Sequence, residues 1–249
     1  MIKTGIHKTS PQWQARMAGA LYLAVIALGI FAEGFVINHL LVSGDAALSA
    51  QNIIASATLW NLGIFANLML VVCVIPLSWF LYLLLRPVDK NLVLLAVFFN
   101  LISVSVETLS KMFLLFVLPL LTNAGLVKAF EPAQLHAFAS LALRAHNFAF
   151  NIALILFGCT CIIYGYLIFK SGYFPKFIGV LMQVAGASYV INCFSVLFVP
   201  AISNLISPAI LLLPFIGEAA FCLWLLVKGV DIAKWNARYS AAPAHFPQS

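Results

Sequence analysis

Residues Leu92–Leu121 read LVLLAVFFNLISVSVETLSKMFLLFVLPLL, a run long and apolar enough to cross a bilayer that nevertheless contains Glu107 and Lys111. A charged side chain in hydrocarbon costs from about 3 to more than 10 kcal/mol, so both groups must face protein or water. At about 100° per residue, the polar side chains of this helix share one face: Asn100, Ser103, Glu107, Ser110 and Lys111. We therefore expect the other helices to pack around that face.

The composition of the chain is that of an integral membrane protein. Of its 249 residues, 64% are hydrophobic and 8% are charged, and the mean hydropathy is +1.08, whereas soluble domains carry about 25% charged residues. The net charge of +6 does not indicate a nucleic-acid partner, because the basic residues lie in short segments between apolar runs. Membrane lipids are thus the expected surroundings, and no nucleic acid is expected.

The predicted fold is all-α, an integral membrane bundle of six transmembrane helices. The predicted spans are Met17–Val42, Thr58–Leu85, Leu92–Leu121, Pro132–Phe169, Lys176–Val199 and Ala209–Val227. The predicted connections include an interfacial helix at Ala46–Ala57 with Asp45 as its N-cap, a loop at Thr122–Glu131 and a short hairpin at Pro200–Pro208. The domain plan is a basic N-terminal segment at 1–16, the six-helix domain at 17–228 and a tail at 229–249 that is expected to fray.

The basic residues predict the orientation of the bundle. Ten of the thirteen Lys and Arg lie in the N-terminal segment, the Arg86 turn, the Lys170 turn and the tail, whereas the opposite loops hold Lys128 alone. Loops rich in Lys and Arg stay on the cytoplasmic side. Both termini are therefore predicted to be cytoplasmic, with the protein in a bacterial inner membrane.

Polar side chains on several predicted helices form a candidate pocket. Counting about 1.5 Å per residue along each span places most of them in the outer half of the membrane, whereas Glu218 lies near the midplane. The pocket candidates are Glu33, Glu107, Lys111, Arg144, His146, Asn147, Asn151, Asn192 and Glu218. Their residue types do not by themselves assign a catalytic role.

The fourth helix carries a second polar face. His136, Ser140, Arg144, Asn147 and Asn151 are spaced three or four residues apart, and Gly158 and Gly165 continue the same face. Small residues let helices approach closely in a membrane. The pattern predicts close packing at the glycines and a polar cavity at the other end of the helix.

Two interpretations of the intramembrane carboxyls remain open. Glu107 and Lys111 are four residues apart, so they either form an ion pair within their own helix or line a binding site. Glu33 and Glu218 have no basic neighbour one turn away, so each needs a partner elsewhere or stays protonated, as a general acid or proton carrier does. For Glu218 the expected partners are amide side chains such as Asn192 and Gln183, and Pro214 is expected to interrupt its helix.

No metal or cofactor is predicted. The sequence has no Glu-x-x-His or His-x-x-x-His pair on one helical face, and it has no glycine-rich phosphate loop or dinucleotide fingerprint.

Several segments together resemble one known family. They are GALYLAVIALGIFAEGFV from Gly19, GDAALSAQNIIAS from Gly44, LYLLLRPVDKNLVLLA from Leu81, YGYLIFKSGYFPKFIGVLM from Tyr164 and IGEAAFCLWLLVKGV from Ile216. The chain resembles the bacterial membrane-protein family catalogued as domain of unknown function 4386. The resemblance implies a multi-pass membrane protein without an established reaction. Glu33 and Glu218 lie inside the resembling segments, whereas Glu107, Lys111 and Arg144 lie outside them.

Three classes of function fit the sequence. The first is a small proton-linked carrier in which Glu33, Glu107 or Glu218 titrates. The second is an intramembrane enzyme for a lipophilic substrate, with Glu218 or Glu33 as acid and His146 or another carboxylate as base. The third is a structural or accessory protein, which needs no cavity. A carrier or enzyme takes a small lipophilic or ionic ligand; an enzyme cavity should open sideways to lipid, whereas a carrier needs a second exit.

Overall fold

The computed structural model describes residues 10–241, and these residues are helical almost throughout. The helices are α1 (Pro11–Gly29), a π-helix (Ile30–Ile37), α2 (Asn38–Leu40), α3 (Ala46–Ala55), α4 (Ala57–Leu85), α5 (Lys90–Thr122), α6 (Ala124–Ala129), α7 (Pro132–Ser171), α8 (Lys176–Phe198), α9 (Pro200–Ile210), α10 (Leu212–Val227) and α11 (Ile232–Ala241). The all-α prediction is confirmed for this part of the chain.

Within residues 10–241, five helical segments are long and apolar enough to cross a membrane. They are Pro11–Leu40, Ala57–Leu85, Lys90–Thr122, Pro132–Ser171 and Lys176–Phe198. The predicted sixth span is shorter than expected, because α10 has only 16 residues. It reaches the length of a span only together with α11, which is bent from it by 100°.

Side-chain caps explain where several helices begin. Asp45 accepts a hydrogen bond from the Leu48 N–H, which confirms it as the N-cap of α3, and Asp89 caps α5 in the same way through the Leu92 N–H. Glu131 and Gln134 form a capping box at the start of α7. With 40 residues, α7 is roughly 60 Å long and extends well beyond the hydrocarbon thickness.

Three connections differ from the predictions. The segment Pro200–Ile210 is a helix rather than a hairpin, since proline is tolerated in a first turn, where its missing N–H would have no helical partner. The loop before α7 contains the short helix α6. The tail forms α11 instead of fraying directly, and the parts of the two terminal segments at 1–9 and 242–249 lie outside the described residues.

The tail helix has identifiable anchors. Asp231 accepts a hydrogen bond from the Lys234 N–H at the start of α11, and this bond lowers the pKa of the exposed Asp231 carboxyl. The indole N–H of Trp235 donates to the Leu84 carbonyl at 3.2 Å. These contacts hold α11 against the end of α4.

The start of α1, the segment after α10 and two turns meet at one end of the bundle. The Gln12 side chain donates to the Lys228 carbonyl at 2.8 Å and accepts from the Val230 N–H at 3.1 Å. The Tyr173 hydroxyl donates to the Leu84 carbonyl at 2.7 Å. We refer to this end, marked by Gln12, Leu84, Tyr173 and Val230, as the terminal end, and to the opposite one as the far end.

Apolar clusters fill the two ends of the bundle, and a smaller third cluster lies between them. The terminal-end cluster includes Tyr22, Leu77 and Ala96, and the far-end cluster includes Val36, Ile64 and Leu114. The third cluster consists of Leu70, Val71, Val74 and Val104. The segments between the two end clusters also carry polar side chains: Glu33, Asn67, Asn100, Ser103 and Glu107. The core is thus interrupted at the level of the candidate site.

The predicted glycine contact holds α7 against α8. A Cβ added to Gly165 would lie 2.7 Å from the Gly179 carbonyl oxygen, and one added to Gly158 would lie 2.8 Å from the Gly186 carbonyl oxygen. Real Cβ atoms are essentially never that close to a backbone oxygen. The close packing predicted for Gly158 and Gly165 is therefore confirmed.

Candidate functional site

A cavity of about 240 Å³ lies between the terminal-end and far-end clusters, and residues of the third apolar cluster form part of its wall. Its wall includes three carboxyl side chains from different helical segments: Glu33 from the π-helix, Glu107 from α5 and Glu218 from α10. The amides of Asn67 and Asn100 also line it, and most of the remaining wall is aliphatic or aromatic. At about 30 Å³ per water molecule, the cavity has room for about eight waters or one small organic molecule.

Lys111 connects two of these carboxyls. Its Nζ lies 2.8 Å from Glu33 Oε1 and 3.8 Å from Glu107 Oε1, so the stronger contact is to the other helix. The Lys111 side chain is fully buried, whereas Glu33 and Glu107 are 27% and 15% exposed. The ion pair within α5 exists, but it is the longer of the two contacts, and Glu33 has the external partner that it was expected to need.

The surroundings of Lys111 are aromatic. Its Nζ lies 4.3 Å from the centroid of the Phe150 ring, a cation–π distance. The His146 ring stacks on Phe150, and its Nδ1 lies 3.2 Å from the Ser110 carbonyl oxygen. Because a carbonyl only accepts, this contact assigns the proton to Nδ1. His146 therefore supports the Lys111 site from α7 without lining the cavity.

Backbone irregularity accompanies Glu33. The segment Ile30–Ile37 is a π-helix, a form that is rare and often found at functional sites. A π-helix has more residues per turn than an α-helix, so its side chains point in different directions from those of an α-helix. The sequence did not lead us to predict this π-helix.

Glu218 is held by two tyrosines. The Tyr189 hydroxyl donates to one carboxyl oxygen at 2.7 Å, and the Tyr22 hydroxyl donates to the other at 3.2 Å. Gln183, one of the two amides expected as partners, donates instead to the Gly179 carbonyl of its own helix. Aromatic hydroxyls can bond either a carboxylate or, by accepting, a carboxylic acid, so this arrangement suits a group that gains and loses a proton.

A close helix contact positions Glu218. A Cβ added to Gly217 would lie 2.8 Å from the Leu181 carbonyl oxygen, so only glycine lets α10 approach α8 this closely. Leu211 separates α9 from α10, one turn before Pro214, which agrees with the predicted interruption. Interrupted helices next to a midplane site are common in membrane transporters.

Asn100 and Asn67 line the cavity, but their amide oxygens are buried. The Ser78 hydroxyl donates its proton to the Val74 carbonyl, so its oxygen accepts from the Asn100 amide nitrogen. Asn100 is 3% exposed and Asn67 is 1% exposed, and neither amide oxygen has a hydrogen-bond partner. Buried amide oxygens normally have partners, so both positions are unusual.

The cavity reaches the surface of the bundle on one side. Three of its apolar wall residues, Ile30, Leu211 and Phe215, are 53%, 45% and 50% exposed. Ile30 begins the π-helix, Leu211 lies between α9 and α10, and Phe215 lies in α10. The opening is therefore bordered by the π-helix and by the start of α10.

The structure separates the other candidates from the cavity. Asn151 is buried, and its amide donates to the backbone carbonyl and to the Oδ1 of Asn147. Asn147 itself is exposed. Asn192 is 5% exposed and does not line the cavity, and Arg144 lies on the exposed surface of α7. Among the residues that the structure describes, no three His, Cys, Asp or Glu side chains converge on a metal-sized site.

The fold and this cavity define a multi-pass membrane protein with an acid-lined internal site. The chain belongs to the family described as Domain of unknown function (DUF4386), whose profile matches residues 17–229. A relative from Archaeoglobus fulgidus, named only as an uncharacterized protein, is 27% identical over 154 residues, which is 62% of this chain and 75% of the relative. No solved structure matches the chain.

Proposed function

We propose that the protein is a proton-linked carrier for a small lipophilic solute, which binds in the cavity between Glu33, Glu107 and Glu218. The observation that carries this proposal is the convergence of three carboxyls from three helical segments on one cavity. Carboxyls inside a membrane are costly, and they commonly mark proton or substrate pathways. A purely structural protein needs no such cavity, so the cavity argues against that class.

Two features support proton movement in particular. Glu218 has hydroxyl partners that can bond it in either protonation state. Glu33 and Glu107 share the one buried ammonium group of Lys111, so with both carboxyls ionised the three side chains have a net charge of −1, which a proton can neutralise. The site thus has two places at which a proton can be taken up or released as a solute enters.

The test is proton movement in proteoliposomes that contain a pH-sensitive dye. Three solutes of similar size and different charge are added in turn: phenylguanidinium, phenylurea and phenylacetate. A carrier gives a protein-dependent change in internal pH with at least one of them, beyond that in protein-free liposomes. The change should be lost in Glu218→Gln and kept in Asp231→Asn, which alters an exposed carboxyl at the start of α11 but keeps a good N-cap. Absence of a change with all three solutes contradicts the proposal.

An intramembrane enzyme is the second candidate, favoured by the opening beside Ile30 and Phe215. A cavity that opens sideways to lipid admits a lipophilic substrate directly from the membrane. Incubating the purified protein with a total lipid extract and following the extract by mass spectrometry separates the two. An enzyme consumes a lipid component in detergent, where no gradient exists, whereas a carrier leaves every component unchanged.

We also propose that the terminal end faces the cytoplasm of a bacterial cell. The contacts of Gln12, Leu84 and Tyr173 support this, because they bring the start of α1, the Arg86 and Lys170 turns and α11 together at one end. Such segments remain on the cytoplasmic side of bacterial membranes.

A further inference from the structure

The balance of charges at the cavity indicates the class of its ligand. Three carboxyls line the wall, and Lys111 is the one Lys or Arg that we find paired with them among the described residues. If Glu218 holds a proton, two carboxylates and one ammonium remain. A single positive charge then makes the site neutral, whereas an anion adds to an existing excess of negative charge.

We infer that the cavity binds a small organic cation, a monovalent ammonium- or guanidinium-type group on an apolar body. Binding as such needs only the cavity; coupling to protons rests on the proposed function. The hydrogen-bonding character of the wall agrees with this class. Glu107 lines the cavity, its side chain is 15% exposed, and its ion-pair contact is the 3.8 Å one to Lys111. Because a carboxylate only accepts hydrogen bonds, a ligand that donates them suits this side chain better than one that accepts them.

The apolar part of the wall selects the rest of the ligand. Phe150, Phe157 and Phe215 line the cavity together with aliphatic side chains, so the body of the ligand is expected to be aromatic or aliphatic. Aromatic faces also attract cations. The volume of about 240 Å³ is below the usual range of about 300 to 1,000 Å³ for drug-sized sites, which limits the ligand to a small molecule.

The cation and a proton compete for the same negative charge at Glu107. The charged groups that interact with it are Lys111 from its own helix and Glu33 from the π-helix. Since Lys111 is engaged mainly by Glu33, Glu107 is the group left to balance a ligand. At a pH where Glu107 holds a proton, binding of the cation releases that proton to water, and the total charge of the site does not change.

Binding to the purified protein tests this inference with two isosteres. Phenylguanidinium and phenylurea have nearly the same shape, but only the first is charged. Titration calorimetry should show that phenylguanidinium binds at least about tenfold more tightly than phenylurea, a difference of about 1.4 kcal/mol, and that phenylacetate does not bind. Equal binding of phenylurea, or binding of phenylacetate, overturns the inference, as does absence of binding by phenylguanidinium.

Variants locate the site. Glu107→Gln should weaken phenylguanidinium about tenfold or more, whereas Asp231→Asn should bind like the parent; loss in both variants indicates surface attraction and overturns the inference. Thermal unfolding shows whether Glu107→Gln is folded, and Glu107→Asp, which keeps the charge, should retain part of the affinity.

Calorimetry in buffers of different ionisation enthalpy measures the number of protons released when the cation binds. If phenylguanidinium binds but moves no protons in proteoliposomes, the inference about the ligand is supported and the proposed carrier function is contradicted. If only phenylurea or phenylacetate moves protons, the carrier function is supported and the inference about the ligand is contradicted.

Discussion

Lys111 donates to Glu33 at 2.8 Å although the two residues are 78 positions apart in the chain, whereas Glu107, one turn away on the same helix, is 3.8 Å from the same nitrogen. The ammonium thus joins the first and third spans. Its position leaves Glu107 with the weaker contact and with its carboxyl at the cavity. An ion pair that only made α5 insertable would not need the second helix.

Replacing Lys111 tests which carboxyl depends on it. Lys111→Met leaves two carboxyls without their cation, and breaking a buried pair costs about 3 to 5 kcal/mol, an upper range here because Glu33 is partly exposed. Adding Glu33→Gln should recover more of this loss than adding Glu107→Gln, since the Glu33 contact is the shorter one. Reversible denaturation of the three variants in mixed micelles measures the difference. Equal recovery by the two glutamines contradicts the assignment.

Glu218 is expected to be neutral at pH 7. The groups that face it are Tyr22 from α1, Tyr189 from α8, Cys161 from α7 and Cys222 from its own helix, none of which is a cation. Infrared spectra of the parent protein should show a protonated-carboxyl band that is missing in Glu218→Gln and shifted in Tyr189→Phe, which removes the 2.7 Å bond. Glu218→Gln should unfold at nearly the parent temperature, because the amide has the shape of the neutral acid.

A band that persists unchanged in Glu218→Gln belongs to another carboxyl. Glu107→Gln is the matched comparison for that outcome, because Glu107 also lines the cavity. If neither variant alters the parent spectrum, both groups are ionised and the proton-carrier proposal fails.

The contact between α7 and α8 should not tolerate a methyl group. A Cβ at Gly179 would lie 2.6 Å from the Phe169 backbone nitrogen, so Gly179→Ala forces the helices apart and should cost about 1 to 3 kcal/mol. Gly34→Ala is the control, because the nearest atom to its added Cβ is 3.9 Å away. Thermal unfolding compares them. A Gly179→Ala variant as stable as Gly34→Ala would show that the helices are not in this close contact.

Cysteine labelling tests the orientation of the bundle. In a background without the five native cysteines, single cysteines at Lys170 and Ser240 should be shielded from an impermeant thiol reagent added to cells, whereas those at Ala47 and Lys128 should react. All four positions are exposed, so accessibility reports the side of the membrane and not burial. Ser171, beside Lys170, is unsuitable because it is buried. Labelling of the Lys170 and Ser240 positions from outside reverses the proposed topology.

Much of the fold follows from patterns that are local in the sequence. The apolar runs, the caps at Asp45 and Asp89 and the break near Pro214 each depend on residues within a few positions of one another, so they are readable before any tertiary contact is known. The helix at Pro200–Ile210 was missed because two prolines in a short segment resemble a turn. The π-helix depends on packing between distant segments, and no local sequence pattern predicts it.

The charged residues of the site could be predicted from the sequence, but their hydrogen-bond partners could not. The free-energy cost of a charged group in hydrocarbon is enough to single out Glu33, Glu107, Glu218 and Lys111. By contrast, nothing in the sequence distinguishes Tyr22 and Tyr189 as partners of Glu218, and only the structure shows their hydrogen bonds to it. One signal was available for Tyr22: it lies eleven residues before Glu33, about three helical turns, and therefore on a similar face of the first span. Periodicity places side chains on one helix, but the rotation of one helix against another decides which of them meet.

The helices around the cavity differ in their continuity beside the opening. The helices α4, α5 and α7 pass the cavity without interruption, whereas the first span becomes a π-helix at Ile30 and α10 begins after the break at Leu211, and both of these residues border the opening. Gln12, at the start of the first span, donates to the carbonyl of Lys228, which directly follows α10. This bond links the two interrupted segments at the terminal end, so a displacement of one at that end would also move the other.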